Sequence, residues 1–380
     1  MKFLLLGVLF LLNGPSLRSQ DSGNVRLAYE YIKTKGIEPS QYILDKCSLF
    51  SIVLLGEDHG VRENLLFVAG LIPKLYRAGV LNIGMEFGAS EDQEQLDLLV
   101  TADRYDERKA RDIMFDYNVG WAYREYTNIY KAAWIFNRRL PRDAKKFRIL
   151  NMSYIFDWSK FDGQRSPGTM KKVFLKGPID TYRADYIERE VLNRGEKVLI
   201  LTGTPHAYLK SGLPGAAEQP VDAYTSSDLG ARLYKKYPSK VFSIILHQPF
   251  EIEDMRNSQL QLPPHLIIER AMKLLGNRPV GFDLRLIPED PLTGSRSFTS
   301  GPPDLGLSRL FGGYIFLRPI DQLTGCTIDK HFFEKKSWEN IMRRFPDPDW
   351  HKRPDSLKEY MAQIKEYVDL KKRYSHQDKR

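Results

Sequence analysis

Cysteine is nearly absent from this chain: only Cys47 and Cys326 occur in 380 residues. Two cysteines so far apart make neither a disulfide framework nor a zinc ribbon. They can pair only if folding brings their Cα atoms within about 7 Å. There is no G-x-S-x-G elbow, no Walker A loop and no H-E-x-x-H. Serine-nucleophile, phosphoryl-transfer and zincin chemistry therefore lack their usual carriers. The few GxG-like stretches have no strand–turn–helix setting, which argues against a dinucleotide site. Internal repeats and low-complexity tracts are missing too. After the first dozen residues no apolar run approaches the roughly 20 residues that a membrane helix needs.

The N-terminus does carry a compact apolar run, over 3–12, behind Met1 and Lys2. Asn13, Gly14 and Pro15 break it, and Ser19 offers a cleavage point before Gln20. This reads as a secretory signal peptide over 1–19. With no cysteine after the run to carry a lipid, the expected destination is secreted or periplasmic, with no integral membrane segment left once the signal is removed. The formal net charge is +9. Nine Lys or Arg and five Asp or Glu fall within 351–380, and the remaining basic residues are scattered among acids. No nucleic-acid fold motif accompanies them, so the charge is read as surface solubility and no nucleic-acid partner is expected. A content of 42% hydrophobic and 12% aromatic residues supports a sizeable core.

Strands and helices alternate along the chain. Short apolar runs at 52–55, 81–86, 147–152, 198–201 and 241–246 read as strands, and 280–284 as a last central strand. Amphipathic stretches at 24–35, 61–78, 180–193 and 266–275 read as helices, the last three stopped by Gly79, Gly195 and Gly276. Alternation of this kind predicts an α/β fold with a mostly parallel central sheet and helices on both faces. Helices over 90–100, 104–115 and 121–139 follow one another without a strand and suggest a helical cap insertion at about 90–140. Ser90 and Gln93 have the spacing of a capping box. The aromatics of the cap, Trp121, Tyr123, Tyr126, Tyr130 and Trp134, are expected in the core. Residues 154–178 and 288–304 read as loops. The whole is taken as a single α/β domain over 24–350 with a charged C-terminal helix and tail over 351–380, packed through Leu357, Met361, Ile364 and Val368.

Three strand ends carry chemistry. In SIVLLGEDHG, over 51–60, an apolar run stops at Gly56, and Glu57 and His59 follow. Glu86 ends the run LNIGMEF, and KVLILTGTPHA delivers His206 after Gly203. Sheet edges of this kind are where α/β enzymes place reactive groups. His59 is the natural general base or metal ligand, its imidazole titrating near neutrality. Glu57 is placed to orient it, to ligate a metal or to serve as an acid; the structural alternative makes Glu57 a cap of the helix that follows. Glu86, next to Met85 and Phe87, needs a partner if buried, either His59, an Arg or a metal. Pro205 suits a helix first turn, placing His206 near a helix N-terminus that favours a neutral imidazole. His247 and Asp283 stand at two further strand ends as additional candidates. Arg124 in the cap offers a clamp for an anionic group, but a solvated side chain is the better reading. His265, His331, His351 and His376 lie in polar surroundings and are expected at the surface.

GEDH over 56–59, GMEF with Glu86, and GTPHA over 203–207 together resemble the erythromycin esterase-like, ChaN-like and Tiki (TraB) superfamily. The order of the motifs and the intervening helices are similar, over about 52–283; GGYIFLRPI over 312–320 is similar to the tail of some esterase-like members. The resemblance implies an α/β fold with Glu57, His59, Glu86 and His206 lining one cleft. It does not imply one activity, since members include macrolide esterases, metal-dependent peptidases and haem-binding surface proteins. The chain lacks the lipobox cysteine of ChaN-type proteins and the membrane anchor of Tiki-type ones, and is most similar to the esterase-like branch.

The resulting expectation is an exported hydrolase of an ester or amide bond, acting on a small molecule or peptide. A divalent metal such as Zn or Mn, held by His59, Glu86 and His206, is the assisted version. The alternative is a haem- or iron-binding protein with His and Tyr as axial ligands.

Overall fold

The computed structural model describes residues 17–210, 224, 228–254, 257–261, 267–284, 307–348 and 352–375. The N-terminal stretch up to residue 16, the whole stretch 288–304 read as a loop, and His265, His351 and His376 lie outside them.

Two helices, α1 (Leu17–Lys35) and α2 (Pro39–Leu49), lead into strand β1 (Ile52–Glu57). Helix α3 (Arg62–Arg77) connects it to β2 (Asn82–Ala89). Three helices follow, α4 (Gln93–Thr101), α5 (Glu107–Tyr117) and α6 (Arg124–Asn137), before β3 (Arg148–Ser153). Next come α7 (Pro167–Val173), α8 (Ile179–Glu190), β4 (Val198–Gly203), α9 (Leu229–Lys236) and β5 (Val241–Leu246). A hairpin of β6 (Phe250–Asp254) and β7 (Asn257–Gln261) precedes α10 (Ile267–Leu274) and β8 (Val280–Asp283). The chain then runs through α11 (Leu307–Leu310), β9 (Gly313–Phe316), α12 (Trp338–Arg343), α13 (Leu357–Tyr367) and α14 (Leu370–Ser375).

Seven strands form one sheet in the order β3-β2-β4-β1-β5-β9-β8. All neighbours pair in parallel except β8, which runs antiparallel to β9. Parallel strands buried on both faces read as unbroken apolar runs, and Ile52 to Leu55 are fully buried. Alternation splits them. Val53 and Leu55 join α3, α5 and α6 in one core, through Leu65, Val68, Ile113 and Tyr126. Ile52 and Leu54 join α1, α8, α9 and α10 in the other, through Ile32, Ile187, Leu233 and Met272. The α/β fold with helices on both faces is thus the one its sequence pattern predicts.

Several local expectations are corrected. The stretch 280–284 is not a central strand but the sheet's edge, and the strand between it and β5 is β9, from GGYIFLRPI. Four residues dense in glycine and aromatics gave β9 no periodicity to read. Ser90 forms no capping box: it opens a 3-10 turn, Ser90–Asp92, with no side-chain cap. The Gln93 amide instead bonds the Ile149 carbonyl (2.8 Å) and accepts from the Asn151 N–H (2.8 Å), fastening α4 to β3. The stretch 154–178 contains α7, capped by Ser166. The C-terminal helix breaks near Val368, and Leu357 is exposed rather than packed. Cys47 and Cys326 are both buried and unpaired.

Candidate functional site

Because β2, β4 and β1 are adjacent and parallel, their C-terminal ends share one edge of the sheet. Glu57 lies level with Gly203, and Met85 with Leu201. The three motifs are therefore neighbours through strand order alone.

The turn after β1 shapes the first part. Gly60 takes φ +79°, a left-handed conformation open to glycine. Its N–H donates to the Tyr126 hydroxyl (3.1 Å), and that hydroxyl donates to Glu57 Oε1 (3.0 Å). The same carboxylate oxygen faces His59 Nδ1 at 3.2 Å. Glu57 is buried and caps no helix; among the described residues its Oε2 has no hydrogen-bond partner. Burial pushes the Glu57 carboxyl up, against the opposing pull of His59 and Tyr126. Burial would lower the His59 imidazole, but the hydrogen bond to Glu57 and the charges of Glu86 and Glu57 outweigh it and leave it raised. His59 packs edge-on against Phe87 and Trp121, with a quarter of its side chain exposed.

Glu86 is the hinge of the site. Its Oε1 stands 3.4 Å from His59 Nε2, and its Oε2 stands 3.9 Å from His206 Nε2. The Oε2 also accepts from the Thr202 hydroxyl and from the Gly203 N–H (3.0 Å). Burial opposes its ionisation, yet His206, Arg183 and His59 hold the carboxyl below its ordinary range. Gly203 is required by close approach. A Cβ there would lie 2.8 Å from His59 Nε2 and 3.5 Å from His206 Cδ2, so the two rings flank one spot.

His206 sits in a four-residue 3-10 turn, Thr204–Ala207, not at the head of a helix. What faces its Nδ1 is Asp180, at 2.7 Å. Asp180 also accepts from the backbone N–H groups of Asp228 (2.7 Å) and Leu229 (2.8 Å), and from Arg183 Nη1 (2.9 Å). Burial disfavours its charge, but His206, Arg183 and these donors hold the carboxyl far below the usual range. Arg183, almost fully buried, is anchored through Nε to the Ser153 hydroxyl (2.9 Å) and lies 3.9 Å from Glu86.

Glu57, His59, Glu86 and His206 are thus brought together, and other candidates are not. Asp283 ends β8, whose reversed direction puts it at the opposite edge of the sheet, where it pairs with Lys46 (2.6 Å) and Tyr42 (2.5 Å). His247 is buried between the Tyr314 hydroxyl and Glu269 (3.0 Å). Arg124 and His331 are exposed. Of the cap aromatics, Tyr123 and Tyr130 are core residues, whereas Tyr126 and Trp121 touch the site. Sequence reading missed Asp180, Arg183 and Tyr126. A signal for Arg183 existed: it stands on the buried stripe of α8, with Ile179, Tyr186 and Ile187, where an unpaired guanidinium would be prohibitive.

A metal held by His59, Glu86 and His206 would use His59 Nε2, Glu86 Oε1 and His206 Nε2. A carboxylate or imidazole ligand bonds zinc at about 2.0–2.2 Å. Here Glu86 Oε2 is occupied by two hydrogen-bond donors, His206 Nδ1 by Asp180, and the fixed charge of Arg183 stands beside both carboxylates. Among the described residues no group of three or more His, Cys, Asp or Glu is arranged to hold a metal ion. No described helix is long and apolar enough to cross a membrane.

No protein-family model matches the chain, and no curated protein matches it. Solved structures do. A succinoglycan biosynthesis protein is similar with a TM-score of 0.57 and 13% identity, covering 83% of this chain and all of that one. Erythromycin esterase EreC, in its open conformation, is similar with a TM-score of 0.48 and 12% identity, over 74% of this chain and 93% of that one. The haem-binding ChaN of Campylobacter jejuni is similar with a TM-score of 0.36 and 16% identity, over 58% of this chain and 90% of that one. At these identities the likeness is one of fold alone, carried by the succinoglycan biosynthesis protein.

Proposed function

We propose that the chain is an exported hydrolase of an ester or amide bond, with His59 as general base. The observation that carries this reading is the setting of His59. Its Nδ1 faces a buried carboxylate, its Nε2 lies beside a second one, and part of the ring meets solvent. Glu57 fixes the tautomer with the proton on Nδ1, which leaves Nε2 to take a proton from water. Glu86 orients that water. His206 stands across Gly203 with its Nδ1–H held by Asp180, so its Nε2 serves as the second base and, once protonated, gives its proton to the leaving group. Arg183 balances the negative charge of the two carboxylates that it touches. Export rests on the apolar run over 3–12.

The haem-binding alternative needs a free Tyr or His pair. Tyr126, the phenol bonded to the carboxylate behind His59, is buried and engaged by Gly60 and Glu57, which favours hydrolysis. The test is His59→Ala, assayed with p-nitrophenyl acetate and then with larger esters and amides. Turnover falls by about 10²–10⁴-fold with the circular dichroism spectrum unchanged. Undiminished turnover rejects the base. A Soret band on adding micromolar haem to the wild type, lost in the variant, turns the reading to haem binding.

A further inference from the structure

The charged C-terminal segment reads in sequence as a helix packed through Leu357, Met361, Ile364 and Val368, with nothing to link it to the site, yet it reaches the turn that carries His59. We infer that Arg373 is a positioning residue for His59, holding the Glu57–Gly60 turn from behind. The inference rests on the hydrolase reading for its catalytic consequence, but not for its geometry.

Arg373 lies 314 residues beyond His59 in the chain. Its Nη1 and Nη2 both donate to the His59 carbonyl oxygen, at 3.1 and 3.2 Å. Nη2 also bonds the Asp58 carboxylate, which accepts from the Tyr374 hydroxyl as well. The guanidinium is itself held by the Tyr367 carbonyl (3.1 Å) and the Tyr374 hydroxyl (3.1 Å). Burial of the segment explains why it stays. Leu370 and Tyr374 share a small apolar cluster with Val61, Ile320 and Leu323, and the Ile364 carbonyl accepts from Tyr123 (3.1 Å). Tyr367 and Val368 press on Gly60: a Cβ there would meet each at 3.2 Å. Gly60 is also pinned from in front, its carbonyl accepting from the Cys326 N–H (2.8 Å).

Two consequences follow. First, the peptide of the candidate base is clamped by a bidentate, charge-assisted contact, the strong kind. A reactive ring must be held within about 0.5 Å of its working position. Second, Asp58 would otherwise stand as an uncompensated anion next to His59, beside Glu57 and Glu86. The titratable groups around the ring are then Glu57 and Asp58 on its own turn, Glu86 from β2, His206 from the turn after β4, Tyr126 from α6, and Tyr367, Arg373 and Tyr374 from the C-terminal segment.

The test uses the full chain with Arg373→Met, Arg373→Lys and Asp58→Asn, and follows the imidazole signals of ¹⁵N-histidine-labelled protein against pH. Arg373→Met leaves Asp58 unbalanced and raises the His59 midpoint by about half a unit, with the His206 midpoint unmoved. Asp58→Asn moves the His59 midpoint the other way. Arg373→Lys keeps the charge but not the fork; its His59 midpoint stays near wild type, and kcat with p-nitrophenyl acetate falls about 10-fold with KM held. If Arg373→Met does not fold, the Asp58→Asn midpoint and the Arg373→Lys turnover carry the test. A His59 midpoint unchanged in folded Arg373→Met and in Asp58→Asn, or full kcat in Arg373→Lys, overturns the inference. Should the wild type show no hydrolysis at all, the titration alone still decides whether Arg373 governs His59, so the two readings fail separately.

Discussion

Two carboxylate–imidazole pairs face each other across Glu86, and they are built differently. Asp180, behind His206, receives two backbone N–H groups and the Arg183 guanidinium besides the ring. Among the described residues Glu57, behind His59, receives only the Tyr126 hydroxyl and the ring, and one of its oxygens has no partner. Both are buried. Their carboxyls move in opposite directions, Asp180 down and Glu57 up. Donors decide this, since a buried carboxylate stays ionised only when hydrogen bonds and cations replace the lost water. The Asp180 side is a fixed anion that anchors its ring. The Glu57 side is where a proton moves at low cost.

The comparison breaks most sharply under amide substitution. Asp180→Asn offers one acceptor where four donors converge: three meet Oδ2 and Arg183 meets Oδ1, so the NH₂, best placed at the Oδ1 position, opposes Arg183. It leaves Arg183 without its 2.9 Å partner, and the expected loss is about 3–5 kcal/mol, read as a lower urea midpoint. Glu57→Gln replaces a carboxyl already pushed toward neutrality and alters stability by only about 1 kcal/mol. Equal losses in the two variants would erase the distinction. A smaller effect comes from Gly203→Ala. The added methyl meets the His59 ring at 2.8 Å, and a ring at the end of a side chain gives way more easily than backbone. Stability drops by about 1 kcal/mol while turnover drops up to about 100-fold. A stable variant with full turnover would show that the two rings need not flank one spot.

The half of this arrangement that lies on strand ends was legible, because a strand end has a sequence signature: an apolar run, then glycine, then a polar residue. Glu57, Glu86 and His206 each carry it, and parallel pairing does the rest. The same signature misled at Asp283, since nothing in VGFD tells which way the strand runs. At His247 an apolar run ends in a polar residue without the glycine, and that residue turns inward to Tyr314 and Glu269. What was not legible came from helices packed across the sheet. Asp180 looks like an ordinary helix charge until α8 is laid on the sheet, Arg183 shows only its place on the apolar stripe of α8, and Tyr126 is a core residue whose hydroxyl reaches Glu57. Arg373 was hidden most deeply, in a run of lysines and arginines whose composition says only that it is solvated.

The two pairs also oppose each other in how stability depends on pH. Asp180 and Glu86 have lowered folded values, so their contribution is complete above the unfolded carboxyl range, about 4, and is lost as pH falls below it. Glu57 and His59 have raised ones. Each binds its proton more tightly when folded, so stability falls as pH rises, from about 4.3 upward for Glu57 and from about 6.5 upward for His59. Both terms on the rising side depend on Glu57, because its hydrogen bond is the largest influence raising the imidazole. Glu57→Gln therefore flattens the decline above pH 4.5 and leaves the acid limb below pH 4 untouched. One proton held differently is worth at most about 1.4 kcal/mol per pH unit, so urea melts at half-unit steps resolve it. Parallel curves for wild type and Glu57→Gln across that range would place the proton elsewhere than on this pair, and the two sides of the site would then be alike.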